Sequence, residues 1–265
     1  MNKGVCLVLN IIIITQDDVF YLGKYLEYFF NNLPTWAKIK GIIILDFSPF
    51  GKADSISIRI KRSYNVFGLK FFIRYFFKYI ISRFVYKKYL IRSVIKRHNI
   101  IEIKLPNANI NSPYTINLLK KFYPDLIISI SANQIFKREI LSLPRYGCIN
   151  LHTALLPKYR GLMPTFWALK NNEPEIGVSV FFMDEGIDTG DIIIQKIIPI
   201  EPYDTLETLI EKTKKVGMDA LIDAISMIRS GNFKTFRPDE KKATYYTFPT
   251  REDIKEFING GKKFW

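Results

Sequence analysis

Apolar positions along this chain recur in two rhythms, period two or continuous in short runs and period 3.6 in longer ones. Val5 to Thr15 is a near-continuous run rich in β-branched residues, the pattern of a strand buried on both faces. Val19 to Asn31 follows with helical spacing, Asn32-Leu33-Pro34 ends it, and Ile39 to Phe47 returns to the strand pattern. Strand, helix, strand in that order predicts a parallel sheet with crossover helices. Further strands are predicted at Ile100 to Leu105, Asp125 to Ser131, Cys148 to His152, Ile176 to Met183 and Asp191 to Ile200. Helices are predicted over Ser112 to Phe122 with Pro113 in first position, over Thr165 to Lys170 after Pro164, and over Thr205 to Ser230 between an Asp204 or Thr205 cap and Gly231. The rest reads as a tail with one short helix, begun by Thr250 and ended at Gly260.

Charge changes this picture in one place. The net charge is +14, yet thirteen Lys and Arg against the single acid Asp54 between Lys52 and Arg97 give +12, leaving +2 elsewhere. Ser48 to Ala53 reads as a loop into this segment, whose helical part is expected at about Leu69 to Lys96. On a helical projection Lys70, Arg74, Lys78, Lys88, Arg92 and Lys96 fall within about 80°, with Phe72, Tyr75, Phe76, Tyr79, Ile80 and Tyr86 opposite. Charges recur too often for the stretch to span a bilayer. Three readings stay open: a helix pair packed on the core with a solvated basic face, an anionic membrane surface bound through residues 69–97, and an RNA-binding face, the last the weaker because basic charge alone does not specify nucleic acid. His98, at the polar end of this segment, reads as solvated.

The chemistry concentrates between Gly147 and Asp191. Side chains two apart on a strand share a face, so Asn150 and His152 point the same way. An amide donor beside an imidazole can hold a carbonyl oxygen and move a proton, and it can equally be a structural hydrogen-bonded pair. Asp184-Glu185-Gly186-Ile187-Asp188-Thr189-Gly190 is an acidic turn between two strands, whose carboxylates either orient that imidazole or are solvated turn residues. No GxGxxG and no GxxxxGK[ST] occurs, and the first strand ends in acidic Thr15-Gln16-Asp17-Asp18, which disfavours phosphate binding there.

The run GCINLHTALLPKYRG followed by MDEGIDTGDII resembles the folate-dependent formyltransferases, whose pattern Asn-x-His-x-Ser-Leu-Leu-Pro and later Asp-x-Gly is matched except at Ala154, where the family carries Ser. The resemblance, strongest over Leu105 to Ile200, implies an α/β Rossmann-like fold with helices on both faces of a mostly parallel sheet. It also implies transfer of a formyl group from 10-formyltetrahydrofolate to a primary amine, without a metal. Asn150 would hold the formyl oxygen, His152 would manage protons and the oxyanion, and Asp188 would orient and charge His152. A loop at Asn133, Gln134 and Ile135 would meet the pterin ring, a plain strand-to-helix turn being the other reading, with Asp184 and Gly186 also on the folate side. Tyr159 and Arg160 would face the acceptor, a plain surface loop being the other reading. The chain ends before the further β-barrel domain of the tRNA enzymes could fit, so an amino sugar, nucleotide- or lipid-linked, is the expected acceptor. Methionyl-tRNA and formyltetrahydrofolate hydrolysis are the alternatives, and a folate-binding or membrane-attached pseudo-enzyme is the non-enzymatic one.

Composition sets the remaining bounds. A 265-residue chain with 48% hydrophobic residues can bury a substantial core, here read as a catalytic domain over 1–230 with an insertion at about 52–98 and a tail at 231–265. Cys6 and Cys148 lack any paired spacing, which predicts neither disulfide nor metal site and favours a reducing, cytoplasmic setting. Lys3 before an apolar run imitates an export signal, but no small-residue cleavage site follows. The basic segment adds the reading that the enzyme works at the inner membrane face.

Overall fold

The computed structural model describes residues 8–46 and 55–265. The Ser48 to Ala53 loop, the first three residues of the predicted opening strand, and Cys6 lie outside them. The main sheet has the order β2-β1-β3-β4-β6-β7, built from β1 (Leu9–Gln16), β2 (Ala37–Leu45), β3 (Leu126–Ile130), β4 (Cys148–His152), β6 (Glu175–Phe182) and β7 (Ile192–Pro199). The first four run parallel, and β6 and β7 are antiparallel additions at one edge. Five consecutive buried residues in β3 and five in the middle of β1 match a sheet covered on both faces.

On one face lie α1 (Leu22–Asn32), α3 (Ile91–Arg97) and α7 (Leu206–Ser230), packed on Ile11, Ile13, Leu126, Ile128 and Leu151. On the other lie α4 (Pro113–Lys120) and α5 (Arg138–Leu141), packed on Ile12, Ile14, Ile127 and Cys148. Each fully buried aliphatic side chain contributes about 1.5–3 kcal/mol. α1 starts three residues later than its pattern predicts, because the Asp18 carboxylate accepts the Phe20 and Tyr21 amides and holds a turn there. The Thr205 and Gly231 caps of α7 stand where they are expected.

Three expectations are corrected. Ile100 to Leu105 makes a single parallel bridge, Glu102 to Ile42 on β2, rather than a full strand; Pro106 has no amide to extend the ladder. The basic segment is not one helix over 69–96. α2 (Ile56–Phe84) kinks at Gly68, which adopts φ +80°, and a 3-10 turn at Lys87–Tyr89 separates it from α3. Nor does its basic face point outward as a unit. Phe71, Tyr75, Lys78 and Ser82 share the inward face: Phe71 packs on Phe264, and the Lys78 ammonium ion-pairs with Glu207 and donates to the Tyr21 hydroxyl at 2.7 Å. Arg74 lies over the Trp265 ring at 4.4 Å. His98 is half-buried against Phe30 rather than solvated, their rings 5.2 Å apart. No helix among the described residues is long and apolar enough to cross a membrane.

Residues 231–265 are built into the same core. Phe236 bridges Ile192, and β8 (Tyr245–Tyr246) pairs in parallel with β5 (Arg160–Gly161). α8 (Arg251–Asn259) buries Ile254 and Phe257, and α6 (Pro164–Lys170) meets it through Phe166 stacked on Phe257. The carbonyls of Lys263 and Phe264 accept the amides of Leu206 and Glu207, satisfying first-turn donors of α7.

Candidate active site

β4 ends between β3 and β6, with Asn150 opposite Ser129 and Phe181, and His152 opposite Ser179. The two-residue period puts Cys148, Asn150 and His152 on the face that packs against α4 and α5. Cys148 is deep in that layer, and burial pushes its thiol well above the ordinary value, which keeps it protonated and unreactive. The half-buried Asn150 side chain makes no hydrogen bond among the described residues, so its amide donors are uncommitted at the strand end.

His152 is buried, and both ring nitrogens face acceptors. Nε2 stands 2.8 Å from the Tyr159 carbonyl oxygen, which can only accept, so Nε2 carries a hydrogen. Nδ1 lies 3.6 Å from Asp188 Oδ2, beyond hydrogen-bond length but within ion-pair reach. The same Oδ2 accepts the Gly161 amide at 2.9 Å, so Asp188 is held from the loop as well as facing the ring. Asp188 takes φ +55° within the acidic turn, an unusual conformation for a non-glycine residue. Asp184 shapes that turn by accepting the Gly186 amide at 3.0 Å and the Thr189 hydroxyl. A Cβ at Gly190 would fall 1.6 Å from the Phe182 carbonyl oxygen, so only glycine fits the close return to β6.

The loop from Thr153 to Gly161 is pinned by residues that the linear pattern did not single out. The buried Ser179 hydroxyl donates to Ala154 O at 2.6 Å and accepts from the Leu156 amide at 3.1 Å. Gln195 Nε2 donates to Ser179 Oγ and to Leu156 O. Ala154 is itself core-buried, and the loop's hydrogen bonding near it comes from Ser179 across the β4–β6 pair. The one available sequence signal for Ser179 was a lone hydroxyl in the apolar strand EIGVSVFF.

Tyr159 and Arg160, expected toward an acceptor, turn their side chains inward. The Tyr159 ring stacks on Tyr246 and its hydroxyl donates to Glu173 at 2.8 Å; burial, with the Glu173 charge, pushes this phenol well above its ordinary value. The Arg160 guanidinium makes a two-pronged pair with Glu240 at 2.8 and 2.7 Å, which holds the Glu240 carboxyl below its ordinary value. What Tyr159 presents to the site is its backbone carbonyl. The Thr244 hydroxyl accepts the Tyr159 amide, tying the loop to the C-terminal segment.

After β3 the chain passes through Ser131 at φ +57° into the loop expected to meet a pterin. Asn133 Nδ2 donates to Asp46 O at 2.8 Å, and Gln134 bonds Ile110 N and Ala108 O, so both side chains hold the loop itself. Ile135 is 55% exposed. An open groove of about 750 Å³ lined by Pro34, His98 and Tyr123 lies elsewhere and contains none of these residues.

A family model described as "Formyl transferase" matches residues 87–225, a span that includes Asn150, His152 and Asp188. The methionyl-tRNA formyltransferase of Caldanaerobacter subterraneus subsp. tengcongensis is 36% identical over 152 residues, 57% of this chain and 49% of the relative. The chain thus spans about half the length of the curated relatives it matches. Among solved structures, phosphoribosylglycinamide formyltransferase from Anaplasma phagocytophilum superposes with a TM-score of 0.61 at 15% identity, covering 90% of this chain and 99% of that one. An N-formyltransferase from Helicobacter canadensis, in complex with folinic acid and dTDP-3-aminofucose, gives 0.54 at 20% identity, covering 93% and 72%. These two share the fold.

Proposed function

Because the chain belongs to the formyl transferase family, we propose that it transfers a formyl group from 10-formyltetrahydrofolate to a primary amine, carried by a nucleotide- or lipid-linked amino sugar. The observation that carries the reading is the uncommitted Asn150 amide on the same strand face as His152, whose ring is bracketed by Asp188 and the Tyr159 carbonyl. The folate supplies the formyl carbon. The amine nitrogen attacks that carbon, the bond from it to the folate N10 breaks, and the proton the amine gives up passes to N10 of the departing tetrahydrofolate, while Asn150 and the Nε2–H of His152 donate to the formyl oxygen as negative charge develops there. Asp188 faces Nδ1 and keeps the imidazole oriented. In this reading the ring of the donor meets the loop after β3: with Asn133 and Gln134 spent on internal bonds, contact would fall to that loop's backbone and to exposed Ile135. Asp184 and Gly186 contribute on the folate side by fixing the acidic turn. Tyr159 and Arg160 act by setting the loop that borders the acceptor. The catalytic unit runs over 1–230, with an insertion at about 52–98 and the segment 231–265 docked on it, and the reaction is cytoplasmic.

Sugar N-formyltransferases are among the proteins sharing this fold over nine-tenths of the chain, which supports the amino-sugar reading. The second reading, methionyl-tRNA as acceptor, is favoured by the names of the curated relatives. Purified protein incubated with 10-formyltetrahydrofolate decides between them. Folate release that requires a nucleotide-linked amino sugar supports the first, and release that requires charged initiator tRNA supports the second. Release without any amine refutes transfer in favour of hydrolysis.

A further inference from the structure

The outward face of α2 is the wrong chemistry for a water-facing helix. Leu69, Ile73, Phe76, Phe77 and Phe84 are between 46% and 73% exposed. At helical spacing these five lie within about 100° of arc, with half-exposed Ile80 among them. The inward face is already filled by Phe71, Tyr75, Lys78 and Ser82 against the body, so rotation cannot bury the stripe without expelling them. Lys70 and Arg83 flank the stripe on either side, each about 70° from its centre. Neither they nor exposed Lys87 has an acid within ion-pair distance among the described residues.

We propose that this face docks on an anionic lipid surface, the aromatic stripe entering the headgroup layer and the flanking bases meeting lipid phosphates. Charge selects this occupant over a second copy of the chain. Residues 55–98 hold no acid, and although Arg74, Lys78, Arg92 and Arg97 pair with acids of the body, Lys70, Arg83 and Lys87 beside the stripe do not among the described residues, so two such faces brought together would set like charges against each other. An anionic leaflet offers opposite charge, and long basic side chains beside an apolar stripe suit that boundary. The half of α2 beyond Gly68 is about 24 Å long, enough to lie in the interface plane. Phe248, two residues beyond β8, packs edge-on against Phe67, so the docked helix connects directly to the segment that pins the site loop.

The test is flotation of the full chain with phosphatidylcholine vesicles, with and without phosphatidylglycerol, at low and high salt. Binding to the anionic vesicles, weakened by salt, is expected. Lys70→Ala, Arg83→Ala and Lys87→Ala combined should lower the partition coefficient about 100-fold. Phe76→Ser, Phe77→Ser and Phe84→Ser combined should abolish binding at an unchanged melting temperature, because these side chains support nothing beneath them. The proposal is overturned by no flotation with anionic vesicles, by equal flotation with neutral ones, or by variants that bind as well as the parent. It is also overturned if vesicles never bind and the phenylalanine variant instead converts a dimer to a monomer in sedimentation velocity, which would assign the face to a second copy.

Discussion

Truncating Asn150 to alanine separates the catalytic reading from a structural one because the amide is uncommitted in the folded protein. Removing one donor aimed at a developing oxyanion costs about 100- to 1000-fold in turnover, or about 2.7–4 kcal/mol. Against that, Asn150→Ala breaks no side-chain hydrogen bond among the described residues, and changes of strand propensity span only about 1 kcal/mol. For a chain of this size that is a shift of about 2–4 °C in melting temperature. Turnover from 10-formyltetrahydrofolate to the best amine should therefore collapse while the thermal melt barely moves. Asn150→Asp keeps the shape but has no N–H to donate and adds charge where an oxyanion forms, so it should be at least as impaired. Turnover within about threefold of the parent in either variant would refute the oxyanion role. A melting temperature lowered by much more than 4 °C would show that Asn150 supports the strand instead.

Asp188→Asn retains an amide oxygen for the Gly161 N–H but removes the charge facing His152, so turnover should fall about 100-fold or more at near-normal stability; near-parent turnover refutes the pairing. Ser179→Ala orphans Leu156 N and Ala154 O in the buried loop, at a cost of about 1–3 kcal/mol, so melting should drop by about 3–10 °C. Gly161→Ala places a Cβ 2.3 Å from the Tyr246 carbonyl oxygen at φ +92°, which must open the β5–β8 pairing; intact stability and activity would contradict that geometry. Burial raises the Asp253 carboxyl, but hydrogen bonds from the Thr250 hydroxyl and amide and from Lys170 outweigh it and hold it below the ordinary value. A group lowered in this way stabilises the fold above the unfolded value of about 4 and loses its contribution as pH falls through the folded value. Melting temperature should thus fall on acidification below about pH 4, and Asp253→Asn should flatten part of that fall.

The strands and the long helix were legible because their signals are local. β4 runs from Cys148 to His152 as predicted, and Thr205 and Gly231 bound α7, since periodicity and cap chemistry act within a few residues. Ile100 to Leu105 has strand composition, but a ladder needs a partner in register, and only Glu102 finds one. The inward turn of Lys78 was illegible for the same reason: its partners, Tyr21 and Glu207, lie 57 and 129 residues away. Arg160 and Tyr159 carry the composition of an acceptor-facing loop, yet Glu240, Thr244 and Tyr246 claim them from the C-terminal segment. Asn150, His152 and Asp188 share a neighbourhood that could be anticipated, whereas Ser179 and Gln195, which fix the loop beside them, become visible only once β4, β6 and β7 are aligned.

That loop bears directly on what His152 can do. Its Nε2–H is engaged by the Tyr159 carbonyl, so presenting that hydrogen to a reacting oxygen requires exchanging one acceptor for another. The carbonyl cannot withdraw freely. The Tyr159 amide is held by Thr244, Arg160 is clamped by Glu240, and the Gly161 amide sits on the carboxylate that faces Nδ1. Movement of Tyr159 therefore displaces the β5–β8 pairing and Asp188 together, so imidazole, carboxylate and C-terminal segment change partners as one unit or not at all. The exchange is less costly if a formyl oxygen arrives where the carbonyl leaves, because the buried N–H then never stands unpaired. Acceptor and donor binding that reposition residues 157–161 would in that way assemble the reactive arrangement only when both substrates are present, which also keeps water from taking the formyl group of a bound donor while the acceptor is absent.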